Sequence, residues 1–406
     1  MRRAVIVIGC SYGDEGKGLA SAHSVRRLGN PCLNVLINGG AQRGHTVDLP
    51  DGRRHVFHHF GSGSLDGAVS CAAERFIVNP LVYWQERDAL AAEFGLAPRL
   101  LVASVCRATT PWDMMLGQII EENRGKARHG SCGMGIQETR LRYMNTDWCM
   151  NWGQLAECTE SQYRQYCRRI IGEYLPQHLA SLGMTAGAGW TEIIRNPGLI
   201  DNSWADLQAM RAETEMYTDW AALAAGWDSL VFEAGQGLAL DADNRADFPY
   251  LTPSSTTSLD SARHIRALAG ETETEILYVT RSYLTRHGAG PLPGECPKEE
   301  INPDIVDRTN VPNPHQQSLR YARFDEAAVM DRVGRDLEAT RRVLPGAAAA
   351  VLVTHLNETN GALFGEASLS EFTGRFDRAY VSSGPSEVEP WIQRAARQSV
   401  QHSDPA

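Results

Sequence analysis

The chain has 406 residues, 43% of them hydrophobic, and a formal charge of −10. That length and apolar content allow a large core, while the negative balance argues against non-specific nucleic-acid binding, which needs a basic surface. The nine cysteines include no Cys-x-x-Cys pair and no run reaches the roughly 18 apolar residues of a membrane span, so a protein with free thiols in a reducing cytoplasm is expected.

No linker, repeat or charge block divides the chain, so residues 1–400 are expected to form one domain, with a disordered tail at 401–406. The opening Ala4-Val5-Ile6-Val7-Ile8-Gly9 reads as a buried strand. Met1-Arg2-Arg3 before it imitates a signal peptide, but the run leads into glycines rather than a cleavage site. Those glycines, in Cys10-Ser11-Tyr12-Gly13-Asp14-Glu15-Gly16-Lys17-Gly18, let backbone N–H groups point at a phosphate, with Lys17 as an added charge. The common phosphate loop has glycine where Ser11 stands and a magnesium-binding hydroxyl where Gly18 stands. A metal would need another ligand, and Asp14 is the candidate, since magnesium prefers one or two carboxylates plus phosphate oxygens. Alone, these residues fit equally a Gly-rich turn with a surface Asp14-Glu15 pair.

The next strand, Leu33-Asn34-Val35-Leu36-Ile37-Asn38, runs into a second such loop, Gly39-Gly40-Ala41-Gln42-Arg43-Gly44-His45-Thr46. Two loops at neighbouring strand ends would face one crevice, where open α/β sheets bind ligands. Gly-Asp-Glu-Gly-Lys-Gly at residues 13–18 and Gly44-His45-Thr46 resemble the signatures of the adenylosuccinate synthetase family. The resemblance implies an α/β fold with a central, mostly parallel sheet flanked by helices, related to the P-loop NTPases, and a homodimer.

Further along, residues 46–60 read as two short strands around Pro50-Asp51-Gly52. A strand at 76–80 precedes a helix over about residues 81–94, and 100–105 is another inner strand. Thr109-Thr110-Pro111-Trp112-Asp113 is a helix start with an early proline. Residues 128–142 read as a third glycine loop, at the place where the family grips a nucleoside monophosphate; Ser131 and Cys132 stand where threonines are usual. From 154 to 227 the pattern is mostly helical, with Trp204, Leu207, Met210, Met216, Trp220 and Leu223 as core. Glu233-Ala234-Gly235-Gln236-Gly237 and the segment 248–257 resemble further family stretches, as does Arg286-His287-Gly288-Ala289-Gly290-Pro291.

By resemblance the chain joins an amino acid, L-aspartate as first choice, to C6 of an IMP-like 6-oxopurine nucleotide through a 6-phosphoryl intermediate, driven by GTP or ATP with Mg²⁺. The resemblance makes Asp14 the base for the N1 proton, His45 the acid partner at O6, and Gln236 the holder of the base through its amide. It assigns triphosphate contacts to Gly13, Glu15, Gly16, Lys17, Gly18, Thr46, Arg320, His355, Asn357, Ser383, Gly384 and Pro385. Gln42, Ser131, Cys132, Thr256 and Thr257 would contact the monophosphate, and Thr309, Ser318 and Arg320 the amine donor. Asp14 and the Gly44 carbonyl would hold the metal, and Arg140 or Arg142 would cross to a partner subunit.

Three departures from the family bear on specificity. Asn357 replaces the family's guanine-reading Asp, which points to relaxed selectivity toward ATP. Only Arg320 survives of the arginine run at the aspartate site, with Gln317, Ser318 and Leu319 in place of the rest; Arg308 or Arg323 are candidate substitutes. Gln42 replaces an Asn and Arg43 a small residue, which would add a cation beside the substrate phosphate. A specialised paralogue with another amine donor or purine, and a non-catalytic nucleotide-binding regulator, are the alternative readings.

Overall fold

The computed structural model describes residues 1–306 and 319–391. In chain order the strands are β1 (Arg2–Gly9), β2 (Cys32–Leu36), β3 (His45–Asp48), β4 (Arg54–Phe57), β5 (Val69–Ala72), β6 (Ile77–Val78), β7 (Leu100–Ala103), β8 (Arg107–Ala108) and β9 (Thr214–Tyr217). They continue as β10 (Ser229–Gly237), β11 (Thr272–Arg281), β12 (Leu284–Arg286), β13 (Glu295–Cys296), β14 (Arg320–Ala322), β15 (Ala348–Thr354), β16 (Arg378–Val381) and β17 (Glu389–Pro390). Ten of them form one sheet in the order β17-β16-β15-β11-β1-β10-β2-β5-β7-β9. Every pairing in it is parallel except that of β16 with β17. The expected fold class, a mostly parallel sheet flanked by helices, is therefore the one observed.

A parallel sheet is covered on both faces, which is why its strands read as unbroken apolar runs. Side chains alternate along β1: Ala4, Ile6 and Ile8 pack with Val35, Phe232 and Tyr278 on one face. Val5 and Val7 pack with Leu277, Leu352 and with Ala20 and Val25 of helix α1 (Lys17–Leu28) on the other. A second core gathers around Trp112 and Trp152, between α2 (Pro80–Phe94), α3 (Pro111–Arg124) and the helices after residue 152. The two expected helix starts are capped as their residues suggest. Asn79 accepts from the Val82 N–H at the head of α2, and Thr110 and Asp113 form a reciprocal capping box on α3.

The hairpin expected at 46–60 is β3 and β4, closed where the Gly52 N–H donates to the Leu49 carbonyl at 2.9 Å. Two expectations need correction. The third glycine loop ends at residue 135, and helix α4 (Ile136–Arg142) takes up the rest of the stretch. Within the helical region, Thr214–Tyr217 is β9, an edge strand of the main sheet, and Met216 is 42% exposed rather than core. Among the described residues no helix is long and apolar enough to cross a membrane, and the cysteines at all nine positions are free. The tail at 401–406 lies outside the described residues.

Candidate functional site

Because neighbouring strands run parallel, the loops after β1, β2, β10, β11, β15 and β16 leave the sheet at one edge. Glycine is what lets the first two loops meet. A Cβ at Gly18 would stand 2.4 Å from the Thr46 carbonyl oxygen, so α1 can start against β3 only without a side chain there. A serine or threonine has no room at that position, which is the physical reason the phosphate loop lacks its usual hydroxyl. Gly13, at φ 119°, likewise makes way for Gln236: a Cβ would lie 2.8 Å from Gln236 Oε1. Gln236 itself sits at φ 67°, a left-handed conformation uncommon outside glycine and of the kind that clusters at functional sites.

A cleft of about 760 Å³ is lined by Gly13, Asp14, Gln42, Gly44, His45, Cys132 and Gln236 together. The carboxylate, the imidazole and the amide singled out in the sequence thus share one cavity. Asp14 faces a residue that sequence reasoning missed: His287 Nε2 lies 3.2 Å from Asp14 Oδ2 and lines the same cleft. The Asp14 carbonyl accepts from Arg281 Nε. His45 Nδ1 lies 2.5 Å from Glu233 Oε1, and Glu233 also accepts from the Ser62 N–H at 3.0 Å, the Ser62 hydroxyl at 2.6 Å and Asn34 Nδ2 at 3.0 Å. In the sequence Glu233 stands within a family motif, and a carboxylate inside an apolar strand announces a buried partner.

Burial pushes the His45 imidazole down to about 4, against the pull of Glu233. Burial alone would raise the Glu233 carboxyl, but the Arg43 charge and then the His45 hydrogen bond hold it down to about 2. His59, fully buried, is pushed down to about 3 by the same loss of hydration. The unfolded chain therefore binds more protons than the folded one once the pH drops below the ordinary histidine value of about 6.5. Stability is complete above that value and falls as the pH drops toward the folded values of about 4 and about 3. Urea unfolding at pH 5 should show a loss of about 2 kcal/mol from each of His45 and His59 relative to pH 7.5. Equal midpoints at the two pH values would contradict neutral, buried imidazoles.

Several of the assigned side chains have partners within the chain. Glu15 is turned inward: it is 4% exposed and accepts from the Ser11 and Gly13 N–H groups at 2.7 and 3.1 Å, clamping the loop from inside. Lys17 Nζ is 3.3 Å from Glu15 Oε2 and also donates to the Gly13 carbonyl. Arg43 is not a free cation beside a phosphate. Its side chain is fully buried, 3.5 Å from Glu233 Oε1, and donates to the Phe60 carbonyl at 2.7 Å. Arg320 forms a bidentate pair with Glu295 and donates to the Gly288 and Gly290 carbonyls at 3.2 and 2.8 Å, so its donors are taken up within its own hairpin. Thr256 is an internal pin: its hydroxyl donates to the Gly237 carbonyl at 3.0 Å and its N–H to Asp241 Oδ2 at 2.6 Å. The Thr257 hydroxyl pairs with Ser255 at 3.0 Å. In the third loop the Ser131 N–H points to Glu121 Oε2 at 3.4 Å, while Cys132 reaches the cleft, its thiol pushed up by burial. Thr309, Ser318 and Arg308 lie outside the described residues.

The residues assigned to the triphosphate base gather beside the first loop. Thr354 Oγ1 donates to the Glu15 carbonyl at 2.9 Å and pairs with His355 Nδ1 at 2.8 Å. The Leu356 N–H donates to the Ser382 carbonyl at 3.2 Å, which brings the turn holding exposed Asn357 against the turn holding Ser383, Gly384 and Pro385. Among the described residues no group of three or more His, Cys, Asp and Glu side chains could hold a metal ion. Asp14 and the Gly44 backbone, in one cleft, are hard oxygen donors that fit Mg²⁺ completed by phosphate oxygens.

The fold is that of known enzymes. Adenylosuccinate synthetase from Plasmodium falciparum superposes with a TM-score of 0.64 at 17% identity, over 87% of this chain and 77% of that one. Succinoaminodeoxyadenylate synthetase of cyanophage S-2L, bound to dGMP and dATP, superposes at 0.63 and 14% identity, over 96% and 95%. In sequence, adenylosuccinate synthetases of Microcystis aeruginosa and Leifsonia xyli are each 28% identical, over 75% and 72% of this chain. The chain spans 65% and 64% of the length of those two relatives. A sequence model of the family matches residues 6–313, so both glycine loops and Gln236 fall inside the match and the turns at Asn357 and Ser383 fall beyond it. With three quarters of its length covered by that match, this chain belongs to the adenylosuccinate synthetase family.

Proposed function

We propose that the chain is a nucleoside-triphosphate-dependent ligase joining an amine donor, aspartate first, to C6 of a 6-oxopurine nucleoside monophosphate. The observation that carries this reading is the single cleft shared by Asp14, His45 and Gln236. A 6-oxo group leaves poorly, so its oxygen must be phosphorylated before an amine can displace it. Asp14 removes the N1 proton, which places negative charge on O6, and that oxygen attacks the γ-phosphorus while the bond to the β,γ-bridging oxygen breaks. Attack by the amine at C6 then expels the phosphate.

With Nδ1 committed to Glu233, His45 has Nε2 left for the O6 side. To donate there it takes up a second proton, favoured as negative charge gathers beside it. Gln236 holds the base by its amide, and Lys17 and the N–H groups heading α1 neutralise the transferring phosphoryl group. When bound, Mg²⁺ adds charge neutralisation at the phosphate oxygens, with Asp14 and the Gly44 backbone to hold it. A homodimer belongs to the same reading. Arg142 is spent inside its own subunit on Asp113 at 2.7 Å, which leaves Arg140, half-buried and pushed down by burial and by the nearby Arg107 and Arg75 charges. A cytoplasmic location is part of the proposal, in keeping with the free cysteines.

The test is a matrix of purine monophosphates, ATP or GTP, and the common amino acids, read by phosphate release and product mass. A ligated product from an IMP-like substrate is expected; phosphate release without one, across the whole matrix, would favour the regulator. The donor nucleotide is a separate prediction. A carboxylate can accept both the N1–H and the 2-amino group of guanine, whereas the exposed amide of Asn357 has one acceptor oxygen and turns a donor toward a donor. An unpaired donor costs about 1–3 kcal/mol, roughly ten- to a hundredfold in affinity. ATP and GTP should therefore support turnover within about a hundredfold of each other in side-by-side assays. A stronger preference for GTP would rule out relaxed selectivity.

A further inference from the structure

One buried charge in the site has no counterpart in the ligase reading: Arg43. Its side chain is fully buried with Glu233, whose carboxylate it approaches to 3.5 Å, and its guanidinium carbon lies 5.7 Å from the centre of the Phe76 ring. Among the described residues only Nη2 has a partner, the Phe60 carbonyl and the Glu233 carboxylate, while Nε and Nη1 are buried without one. Leaving two guanidinium donors buried and unpaired costs free energy, so the position is held by something that offsets that cost. The offset is Glu233. Its other partners, Asn34, Ser62 and His45, are neutral groups when the imidazole is neutral. Arg43 is then the cation that compensates a carboxylate with no exposure to water.

We propose that Arg43 is a positioning residue for His45: it fixes the Glu233 carboxylate, which takes the His45 Nδ1–H and leaves the ring's other edge to the cleft. The inference deepens the ligase reading and rests on it only for the identity of the reaction. The arrangement is a buried chain from the Phe60 carbonyl to Arg43, to Glu233 and to His45. A neutral side chain at position 43 removes the charge that keeps Glu233 in place, and the imidazole can then rotate or exchange its donor edge.

The test uses the full chain with no nucleotide added, comparing wild type with Arg43→Lys, Arg43→Met and Arg43→Gln. Proton NMR should show a far-downfield His45 Nδ1–H resonance, assigned by its disappearance in His45→Asn, in wild type and Arg43→Lys. It should be absent or shifted upfield in Arg43→Met. If Arg43→Met does not fold, Arg43→Gln, which can still donate to Phe60, takes its place. A folded neutral variant that keeps the wild-type resonance overturns the proposal, and so does a wild type that lacks it. In turnover assays, Arg43→Met should lose at least tenfold in kcat with KM for both nucleotides changed less than about threefold, and Arg43→Lys should recover most of the loss. A normal NMR result with no ligation in any variant, wild type included, would count against the ligase reading alone.

Discussion

Asp14→Asn is expected to abolish detectable ligation while leaving the melting temperature of the protein unchanged. The substitution keeps the shape of the side chain and removes its charge. Asn has no basicity to take the N1 proton, and positioned bases typically contribute ~10²–10⁴ in rate. It is also a poorer ligand than a carboxylate for a hard divalent cation, so the loss should lie at or beyond the upper end of that range. Stability should hardly respond. The Asp14 side chain is 24% exposed, and its one described side-chain partner at short range is His287 at 3.2 Å. Pairs with that much contact with water contribute about 0–1 kcal/mol. The fold of the loop instead depends on the Asp14 carbonyl, on Glu15 and on the glycines, all of which the variant keeps. Product mass with IMP, aspartate and either triphosphate, alongside a thermal melt, decides the matter. Ordinary product formation by a folded Asp14→Asn protein would remove the proposed base.

What the letters disclose here is set by how tightly burial constrains them. Strands β1, β2, β7, β10 and β15 are covered on both faces along most of their length, so their buried positions are apolar with few exceptions, Asn34 and Glu233 among them, and they can be read directly. β9 escapes such reading because Thr-Glu-Met-Tyr at a sheet edge is largely exposed, and it lies in a region of helices. The two glycine loops are legible for a related reason. Gly13, Gly16 and Gly18 occupy places where a side chain meets Gln236, Thr354 or Thr46, so the spacing of the glycines records the geometry.

Side-chain direction is another matter. Arg43 and Arg320 read as cations available to phosphates or carboxylates, and both are turned toward carboxylates of their own chain, Glu233 and Glu295. Nothing local in the sequence marks those partners, which are far along the chain or across a hairpin. His287 stands in a stretch that resembles the family, but nothing local marks it as the neighbour of Asp14 until β11 and the first loop are placed side by side. Glu233 did carry one, being a charge inside an otherwise apolar strand.

The second large effect concerns the buried pair that holds α4, and with it the third glycine loop. Arg142 Nε and Nη2 donate to the two Asp113 oxygens at 2.8 and 2.7 Å, with side-chain exposures of 0% and 1%. Nη1 donates to the Trp148 carbonyl at 2.8 Å and the Tyr166 hydroxyl at 2.5 Å, and the guanidinium stacks over the Tyr143 ring at 4.9 Å. Asp113 is also the third residue of α3 and accepts from the Thr110 N–H at 2.8 Å, so one carboxylate caps one helix and anchors the next. Asp113→Ala leaves a guanidinium buried without its counter-charge, which costs about 3–5 kcal/mol. It also deletes half of a capping box, worth about 1 kcal/mol. Arg142→Met should fall at the lower end of the same range, because Thr110 still serves the carboxylate. The double variant Asp113→Ala/Arg142→Met should be less destabilised than the sum of the singles by at least 1–2 kcal/mol, roughly, since neither charge is left alone. Urea midpoints with unchanged slopes measure all three. A single variant within about 1 kcal/mol of wild type would mean that Arg142 is not the internal anchor, and would return it as a candidate for reaching a partner subunit in place of Arg140.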